Sequence, residues 1–488
     1  MKLSSLLSFL LEKEVFNLRD VEIKNITDNS RDIKEGSLFV AIKGEKFDGH
    51  SFIQEAINKG ASCIVVEDKK YITPNSIFVL TFSSLKALSQ LASAFFGNPS
   101  DSLNIIGITG TNGKTTTAFL IEEVFKKASF PIARLGTIGH RIGSEDIPTV
   151  LTTPHPLEIF KLLLKAKNEG AKFVVMEVSS HGLSLERVSG IKFKQAIFTN
   201  LTEDHLDFHK TWDSYLLAKK RLFLSLNKDC DAFVNIDDPS YKKIISGTKA
   251  RVITYGINGN ADIKGEKIKE GKRGISFSIG KERINTLLYG TYNIYNCLAS
   301  ISCAIMNGIS FDVIKDAISN FKAPLGRFEI IWKSPLVVID YAHTPDGLSC
   351  VLKTAKSLIH KRIILVFGCG GNREKQKRPI MGKIASSLSD IPIITSDNPR
   401  DEDPEIIMDE IEKGMKKAHL RIVNRETAIK KAIELADKDD LILIAGKGHE
   451  DYQIIGNERI PFNDKEVALK ILKNSKLKTK NAKPQFKI

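Results

Sequence analysis

A glycine-rich segment, Gly107-Ile-Thr-Gly-Thr-Asn-Gly-Lys-Thr-Thr-Thr117, constrains the fold more than any other stretch of this 488-residue chain. A strand-like run precedes it at residues 103–106, and a helix-like run follows it from Ala118 to Lys127. This order is typical of a phosphate-binding loop, because glycine lets backbone N–H groups close around phosphate oxygens. The spacing departs from the usual one, since Ile108 stands where a first glycine is common. An ordinary glycine turn before a helix is the alternative interpretation.

The lysine and threonine that end this loop have defined roles in the phosphate-binding interpretation. Lys114 would reach the β- and γ-phosphates of ATP, and the Thr115 hydroxyl would ligate Mg²⁺. Glu177 ends an apolar run, so its carboxylate is predicted at the same sheet edge, where it would also hold the ion. The residues predicted to bind the phosphates of ATP are Gly110, Thr111, Asn112, Gly113, Lys114, Thr115 and Thr116.

Length and composition restrict the class of protein to which this loop can belong. A chain of 488 residues, 42% apolar and 27% charged, is typical of a soluble protein of about three domains. Six scattered cysteines without a Cys-x-x-Cys pair favour a reducing cytoplasm over disulfides or structural zinc. No apolar run approaches the roughly 18 residues of a membrane span, and no signal peptide is expected. Part of the net charge of +14 lies in residues 473–488, which are expected to be poorly ordered.

Alternating strand-like and helix-like runs predict an α/β protein of three domains. Residues 1–98 are predicted to form a small N-terminal α/β domain. Residues 99–328 are predicted to form a central ATP-binding domain, with a mostly parallel sheet like that of P-loop ATPases and short antiparallel strands near 258–288. Residues 329–488 are predicted to form a C-terminal Rossmann-like domain, whose functional residues would follow the strand ends.

A second polar segment, Thr199-Asn-Leu-Thr-Glu-Asp-His-Leu-Asp-Phe-His209, carries two histidines and three acids. A zinc site is one interpretation of such a cluster. Because no cysteine joins it, and because the phosphate loop and Glu177 independently point to Mg²⁺, a magnesium-related role is favoured.

The segment Thr109-Gly-Thr-Asn-Gly-Lys-Thr-Thr116 resembles the loop of the Mur ligases, and the likeness to that family extends over all three predicted domains. Mur ligases are ATP-dependent enzymes that form amide bonds in the synthesis of peptidoglycan precursors. Cyanophycin and folylpolyglutamate synthetases have related loops. The resemblance implies a three-domain α/β fold, ATP as a substrate and two Mg²⁺ ions as cofactors.

The resemblance also assigns roles to residues around the ions. His205 matches a histidine that contacts the second Mg²⁺, and Lys219 matches a lysine that CO₂ converts to a carbamate (N6-carboxylysine), which ligates that ion. Carbamylation needs a neutral amine, so burial or a nearby cation has to lower the pKa of this lysine. The implied catalytic residues are Lys114, Glu177, His205 and Lys219, and the implied metal ligands are Thr115, Glu177, His205 and the carbamate of Lys219.

Three sets of substrate contacts follow from the same resemblance. The UDP-linked substrate would contact Ser30, Glu45, Lys46, Phe47, Thr152, Thr153, Ser179 and Arg187. Asn293 would lie near the adenine of ATP, Arg327 near a phosphate and Asp340 near the ribose. The amino acid to be added would contact Arg373, Asp397, Asn398, Pro399, Arg400, Gly446 and Glu450.

The segment Asp397-Asn-Pro-Arg400 indicates which amino acid is added. An arginine offers two parallel N–H donors to a carboxylate. Arg373 and Arg400 with Glu450 would hold the two carboxylates and the ammonium group of meso-2,6-diaminopimelate, whereas relatives that add lysine usually lack the arginine of this motif. By itself, the motif is equally compatible with a simple proline turn.

The resemblance thus implies a monomeric, cytoplasmic ligase that adds meso-2,6-diaminopimelate to UDP-N-acetylmuramoyl-L-alanyl-D-glutamate through an acyl phosphate. Ligation of L-lysine, or of a dipeptide by a sister enzyme, is the nearest alternative. A basic P-loop ATPase acting on nucleic acid would need clustered basic residues with stacking aromatics, and the lysines here are dispersed. Nucleic acid and membranes are therefore not expected partners, and the phosphate loop disfavours a pure binding module.

Overall fold

The computed structural model describes residues 1–10, 12–44, 47–271, 273–358 and 361–481. Three large sheets follow one another along these ranges. Glu45 and Lys46, predicted to contact the UDP-linked substrate, lie outside the described residues. Within the ranges given, no helix combines the length and apolar character needed to cross a membrane.

The first sheet is a five-stranded, mostly parallel sheet in which only the edge strand β1 runs antiparallel. Its strands, in the spatial order β1-β5-β4-β3-β2, are β1 (Glu14–Phe16), β2 (Asn25–Thr27), β3 (Ser37–Val40), β4 (Cys63–Val66) and β5 (Phe78–Leu80). The helices of this part are α1 (Leu3–Leu7), α2 (Ile53–Asn58) and α3 (Ser84–Phe95). Four 3₁₀ turns accompany them at Ser30–Asp32, Gly49–Phe52, Lys69–Tyr71 and Pro99–Ser102.

The second sheet has nine strands in the order β14-β13-β12-β11-β6-β10-β7-β8-β9, and among these described strands antiparallel pairing occurs only between β7 and β8 and between β8 and β9. The strands are β6 (Asn104–Thr109), β7 (Ile132–Leu135), β8 (His140–Ile142), β9 (Glu145–Ile147), β10 (Phe173–Glu177), β11 (Phe193–Phe198), β12 (Asp231–Asn235), β13 (Arg251–Gly256) and β14 (Ile263–Lys264). The helices are α4 (Lys114–Lys127), α5 (Pro156–Asn168), α6 (Ser180–Ser184), α7 (Leu206–His209), α8 (Trp212–Leu224), α9 (Tyr241–Ile245), α10 (Tyr292–Met306) and α11 (Phe311–Asn320). A separate antiparallel sheet comprises β15 (Glu266–Gly271), β16 (Gly274–Ile279) and β17 (Glu282–Thr286).

Helices cover both faces of this second sheet, which explains the unbroken apolar runs in its strands. Consecutive residues of β6 point to opposite cores: Ile105 packs with Val174 in one core, and Ile106 packs with Val175 in the other. The polar groups of the candidate site lie where the strands end. The phosphate loop is placed at that edge, between the neighbouring strands β10 and β11.

The third sheet has six strands in the order β18-β19-β23-β20-β21-β22, with the edge strand β18 antiparallel. The strands are β18 (Glu329–Lys333), β19 (Leu336–Asp340), β20 (Ile363–Phe367), β21 (Ile391–Ile394), β22 (Leu420–Arg421) and β23 (Leu441–Ala445), followed by a hairpin of β24 (Tyr452–Ile455) and β25 (Glu458–Pro461). The helices are α12 (Pro345–Ser357), α13 (Lys377–Leu388), α14 (Pro404–Glu412), α15 (Arg425–Leu435) and α16 (Asp464–Asn481).

The predicted fold class is confirmed: an α/β chain with a small N-terminal sheet, a central mostly parallel sheet and a Rossmann-like C-terminal sheet. The segment from residue 473, which was expected to be poorly ordered, begins within the last helix. Helix α16 continues to Asn481, since lysine and leucine are good helix formers and the helix begins on the buried Asp464.

Candidate active site

The phosphate loop leaves β6 and enters α4 through two glycines with positive φ, +154° at Gly110 and +87° at Gly113. A Cβ atom at Gly110 would lie 1.8 Å from Thr199 Oγ1, and one at Gly113 would lie 2.4 Å from Asn296 Oδ1. Only glycine therefore fits at both positions, for space as well as for conformation. This is the local reason why the loop sequence produces a backbone cradle before the helix.

The Lys114 side chain lies back along the loop that precedes it. Its Nζ donates hydrogen bonds to the carbonyl oxygens of Gly110 at 2.9 Å and Thr111 at 2.8 Å. Burial lowers the pKa of Lys114, against the opposing effect of Glu177 and Asp204. The loop thus contains a desolvated cation beside main-chain N–H groups, an arrangement that suits phosphate oxygens.

Glu177 ends β10 beside the loop and is 1% exposed. Its Oε2 accepts hydrogen bonds from the hydroxyls of Thr115 and Thr137, both at 2.9 Å, and its Oε1 accepts from the Thr137 N–H at 2.8 Å. Arg327 Nη2 contributes a bond of 3.1 Å to the Thr115 hydroxyl. A buried carboxylate and a hydroxyl at hydrogen-bond distance form the hard oxygen donor set that Mg²⁺ prefers.

Lys219 lies on α8, directly behind the phosphate loop, and is 1% exposed. Its Nζ donates to Gly110 O at 2.8 Å, so it shares this acceptor with Lys114. Burial, and then the charge of Lys114, hold the pKa of Lys219 well below its usual range. The neutral amine that carbamylation requires is therefore favoured at this position.

His205 begins α7 in the left-handed region, with φ +59°, and its Nε2 lies 3.2 Å from Asp204 Oδ2. Burial lowers the pKa of His205 to about 3, although the Asp204 carboxylate acts in the opposite direction. A neutral imidazole can act as a metal ligand. No group of three or more His, Cys, Asp or Glu side chains forms a ready metal site in the described part of the chain. The zinc interpretation therefore gains no support.

The residues predicted to bind the nucleoside line one cleft of about 450 Å³ together with the phosphate loop. Asp340 is the last residue of β19 and accepts hydrogen bonds from the N–H groups of Phe328 and Ala342, each at 2.7 Å. Burial raises the pKa of Asp340 to about 6. Asn293 is buried on α10, where it donates to Tyr289 O at 2.7 Å.

The residues predicted to bind the dipeptide part of the substrate converge after β10. Thr153 Oγ1 donates to Glu177 O at 3.0 Å and accepts the Ser179 N–H at 2.9 Å, and Arg187 Nη1 donates to Thr153 O at 2.8 Å. The hydroxyl oxygens of Thr152 and Thr137 lie 3.1 Å apart, within hydrogen-bond distance. These contacts connect the predicted dipeptide site to the Glu177 carboxylate.

Two predicted contacts to the nucleotide of the UDP-linked substrate lie on the first sheet's side of the molecule. Ser30 begins a 3₁₀ turn and is half-buried, with its carbonyl accepting from Lys59 at 2.8 Å. Phe47 is 74% exposed. His155 Nε2 and Asp28 Oδ2, 3.0 Å apart, connect the turn before Ser30 to the segment that carries Thr152 and Thr153.

The two arginines predicted to hold the amino acid lie on neighbouring loops after β20 and β21. Arg400 has a positive φ of +54°, and its backbone is held by the β24–β25 hairpin through Ile454 O at 3.0 Å and the Gly456 N–H at 2.8 Å. Its Nη1 donates to Gly371 O at 2.7 Å, and burial lowers its pKa, with nearby Arg373 adding to the effect. Arg373 is half exposed and lies 4.0 Å from Asp207 of the central part.

The remaining predicted amino-acid contacts surround these arginines. Pro399 O would lie 1.8 Å from a Cβ atom at Gly371, so the two loops touch backbone to backbone. Within the described part of the chain, the Oδ2 atom of Asp397 is buried without a hydrogen-bond partner, and it would lie 2.6 Å from a Cβ atom at Gly446. Glycine at 446 therefore keeps the space in front of this carboxylate open.

Asn398 and Glu450 are joined by a side chain that the sequence analysis did not select. Lys447 is completely buried, and its Nζ donates to Glu450 Oε2 at 2.8 Å and to Asn398 Oδ1 at 3.1 Å. Asp346 was also missed as a contact, although its Oδ2 accepts a 3.0 Å hydrogen bond from Asn112 of the phosphate loop. Lys447 lies between Gly446 and Glu450, and Asp346 follows soon after Asp340; this proximity to residues that the sequence analysis selected is the signal that could have found them.

The chain carries a phosphate loop on one parallel sheet and a cluster of arginine and glutamate side chains on the next. This combination defines a class of ATP-dependent protein. Three family profiles match it: "Mur ligase family, catalytic domain" at residues 22–96, "Mur ligase middle domain" at 108–304, and "Mur ligase, glutamate ligase domain" at 326–448. The chain belongs to the Mur ligase family.

Similar full-length proteins include two UDP-N-acetylmuramoyl-L-alanyl-D-glutamate–2,6-diaminopimelate ligases. The Clostridium tetani protein is 44% identical over 486 residues, which is 97% of this chain and 99% of that protein. The Clostridium botulinum protein is 44% identical over 465 residues, which is 93% of this chain and 95% of that protein.

Solved structures resemble the chain as a whole. A structure of a UDP-N-acetylmuramoyl-L-alanyl-D-glutamate–2,6-diaminopimelate ligase matches with a TM-score of 0.68 and 30% identity, covering 98% of this chain and all of that one. A MurF ligase from Thermotoga maritima, solved in complex with ADP, matches with a TM-score of 0.65 and 20% identity, covering 95% of this chain and all of that one. The latter likeness is one of fold.

Proposed function

We propose that this protein is an ATP-dependent ligase that joins meso-2,6-diaminopimelate to the D-glutamyl γ-carboxylate of UDP-N-acetylmuramoyl-L-alanyl-D-glutamate. The observation that carries the choice of amino acid is Arg400, which the β24–β25 hairpin holds beside Arg373 and the loop of Glu450. A second carboxylate on the amino acid would pair with the second guanidinium. The 44% identity to two diaminopimelate ligases over nearly the whole chain supports the same choice.

The cleft of about 450 Å³ is where we propose that ATP binds. The cradle from Gly110 to Thr116 would hold the phosphates, and Lys114 would exchange its bonds to two loop carbonyls for bonds to phosphate oxygens. Asp340 would accept the ribose hydroxyls, since each of its oxygens keeps a lone pair after binding a backbone N–H.

Thr115 and Glu177 fit the oxygen ligands of a first Mg²⁺ ion, and His205 and a carbamate on Lys219 fit a second. When bound, the ions would supply positive charge near the transferred phosphoryl group. The His205 imidazole suits ligation because burial favours its neutral form. Both magnesium sites and the carbamate remain proposals.

The reaction would proceed in two bond exchanges. In the first, the γ-carboxylate of the substrate, oriented by the Thr153–Ser179–Arg187 cluster, attacks the γ-phosphorus of ATP and displaces ADP. In the second, the amine of the amino acid attacks the acyl-phosphate carbon, phosphate leaves with the C–O electron pair, and the nitrogen loses a proton. Lys114 and Arg327 would offset the charge that develops on the phosphoryl oxygens.

One chain contains every loop assigned to ATP, to the UDP-linked substrate and to the amino acid. We therefore propose that the protein acts as a monomer in the cytoplasm, where ATP is available, on small-molecule substrates and without nucleic acid. Peptidoglycan precursor synthesis is the process that this reaction would serve.

A phosphate-release assay tests the proposal. Purified protein would receive ATP, Mg²⁺, UDP-N-acetylmuramoyl-L-alanyl-D-glutamate and, in separate reactions, meso-diaminopimelate, L-lysine, L-ornithine or D-alanyl-D-alanine. We expect phosphate release and a tripeptide product, identified by its mass, mainly with meso-diaminopimelate. Preference for lysine or for the dipeptide would contradict the proposal.

A further inference from the structure

Lys447 occupies an unusual place for a lysine, because its side chain is completely excluded from solvent. Lysine is seldom buried unless its ammonium group is paired. The partners here are the Glu450 carboxylate at 2.8 Å and the Asn398 carbonyl at 3.1 Å, and the ammonium group lies 5.5 Å from the centre of the Tyr452 ring.

The three residues form a closed hydrogen-bonded triangle between two loops that are far apart in sequence. Asn398 Nδ2 donates to the same Oε2 atom of Glu450 at 3.0 Å, and Asn398 Oδ1 also accepts the Ile454 N–H at 3.0 Å. Oε2 of Glu450 therefore has two donors, and its orientation is fixed. Its side chain keeps 15% exposure. The Oε2 atom is thus held by protein donors, while the other edge of the carboxylate faces outward.

We propose that Lys447 is a positioning residue for amino-acid binding: it fixes Glu450 and Asn398 so that the outward oxygen of Glu450 is ready to receive the ammonium group of the amino acid. This inference rests on the proposed function, because it assumes that Glu450 contacts that substrate. A carboxylate fixed in advance loses no side-chain freedom when the ligand arrives, which strengthens binding.

The same triangle explains how the positively charged Lys447 can lie close to the positively charged ammonium group of the proposed ligand. The bond from Lys447 ends on Oε2, so the ammonium group of the ligand does not need to displace it to reach the other oxygen. Without Lys447, Asn398 and Glu450 would each lose a buried donor, and the carboxylate would be held by Asn398 alone and therefore less firmly.

The test compares Lys447→Met, Lys447→Arg and the surface control Lys430→Met, whose lysine is 63% exposed in the same part of the chain. Each is assayed for KM and kcat with the amino acid that the wild type uses best. We expect Lys447→Met to raise KM for the amino acid roughly 10- to 100-fold, with KM for ATP within about twofold of wild type. Lys447→Arg should recover part of the loss, and Lys430→Met should match wild type.

A double-mutant cycle with Glu450→Gln separates positioning from a general structural role. If Lys447 acts through Glu450, the double variant should be no worse than the poorer single variant. Independent, multiplying effects, or an unchanged KM in Lys447→Met, would overturn the proposal. If Lys447→Met does not fold, as judged by its thermal unfolding, Lys447→Gln takes its place in the cycle.

The failure of this inference can be distinguished from failure of the proposed function. The proposed function is decided by the wild type alone, from the amino acid that it ligates. If the wild type prefers lysine, the proposed function fails, and the Lys447 comparison still proceeds with lysine. If the wild type ligates no amino acid, both proposals fail together.

Discussion

The central sheet and the C-terminal sheet place their functional loops at equivalent edges, yet they satisfy their charged groups differently. At the central edge, Lys114 and Lys219 both donate to Gly110 O, and Glu177 accepts three hydrogen bonds from Thr115 and Thr137. At the C-terminal edge, one oxygen of Asp397 is buried without a hydrogen-bond partner among the described residues, and burial, with the charge of nearby Arg373 adding to it, lowers the pKa of Arg400.

The central site is therefore formed by the chain alone, whereas the C-terminal site would be completed by its ligand. The phosphate loop is fixed by its own backbone, by Thr199 and by Asn200. At the C-terminal edge, the repulsion between Arg373 and Arg400 would be relieved by two substrate carboxylates. We therefore expect substitutions in the central site to affect the rate, and those in the C-terminal site to affect the choice of substrate.

The largest effect is expected for Lys114→Met. Removing the cation that faces the transferred phosphoryl group should lower kcat for ligation by roughly 10³-fold or more. Phosphate release under saturating ATP measures the loss. Lys127→Met is the matched control, because Lys127 lies at the other end of α4 in an exposed pair with Asp316. Near-normal turnover in the Lys114 variant would refute the phosphate-loop assignment.

Lys219→Ala should lower kcat roughly 10²- to 10³-fold through loss of the proposed carbamate. Short carboxylic acids added to the assay should restore part of the activity by replacing that carbamate. The neighbouring lysine provides the control, Lys220→Ala. A wild-type rate in Lys219→Ala, or an unmodified lysine in a well-ordered crystal structure at high bicarbonate, would count against the carbamate.

The strand–loop–helix geometry around the phosphate loop could be predicted from the sequence because its information is local. The strand, the loop and the start of the helix follow one another within residues 104–127, and the glycines alone indicate the backbone conformation. The parallel sheets were predictable for a similar reason. Strands covered on both faces must be apolar throughout, so their positions appear as unbroken apolar runs.

The C-terminal site could not be predicted in the same detail because it is assembled from distant loops. In sequence, Lys447 resembles a solvated lysine in a glycine-rich turn, and only the packing of the Asn398 loop against it causes its burial. The β24–β25 hairpin that holds the Arg400 backbone was also missed, since its strands are short and β25 is exposed. Its Gly456–Asn457 turn was the available signal.

Arg400→Ala should change which amino acid is used. Losing one partner of a partly desolvated arginine–carboxylate pair costs about 2–5 kcal/mol, or roughly 30- to 5,000-fold in kcat/KM for meso-diaminopimelate. Lysine, which lacks the second carboxylate, should be affected little. Both amino acids are compared in wild type and variant, with Arg283→Ala on the separate three-stranded sheet as the control.

The backbone of Arg400 requires a second variant. Because its φ is +54°, the backbone is strained for arginine and alanine alike, and asparagine tolerates this conformation better. Arg400→Asn should therefore show the same change of preference with higher stability. Equal losses with both amino acids, in both variants, would mean that Arg400 does not select the substrate.

The smallest effect is expected for substitutions of Asp346, where the functional edge of the central sheet contacts that of the C-terminal sheet. Asn112 of the phosphate loop donates to Asp346 at the start of α12, and burial raises the pKa of that carboxyl. Removing one such hydrogen bond costs about 0.5–1.5 kcal/mol, so Asp346→Ala should raise KM for ATP about two- to tenfold with little change in kcat. Asp346→Asn keeps an oxygen acceptor for Asn112 and should stay within about twofold of wild type. Equal KM values in the Ala and Asn variants would show that ATP binding does not depend on this contact, and the two edges would then have to be coupled elsewhere, through Arg327 and Thr115.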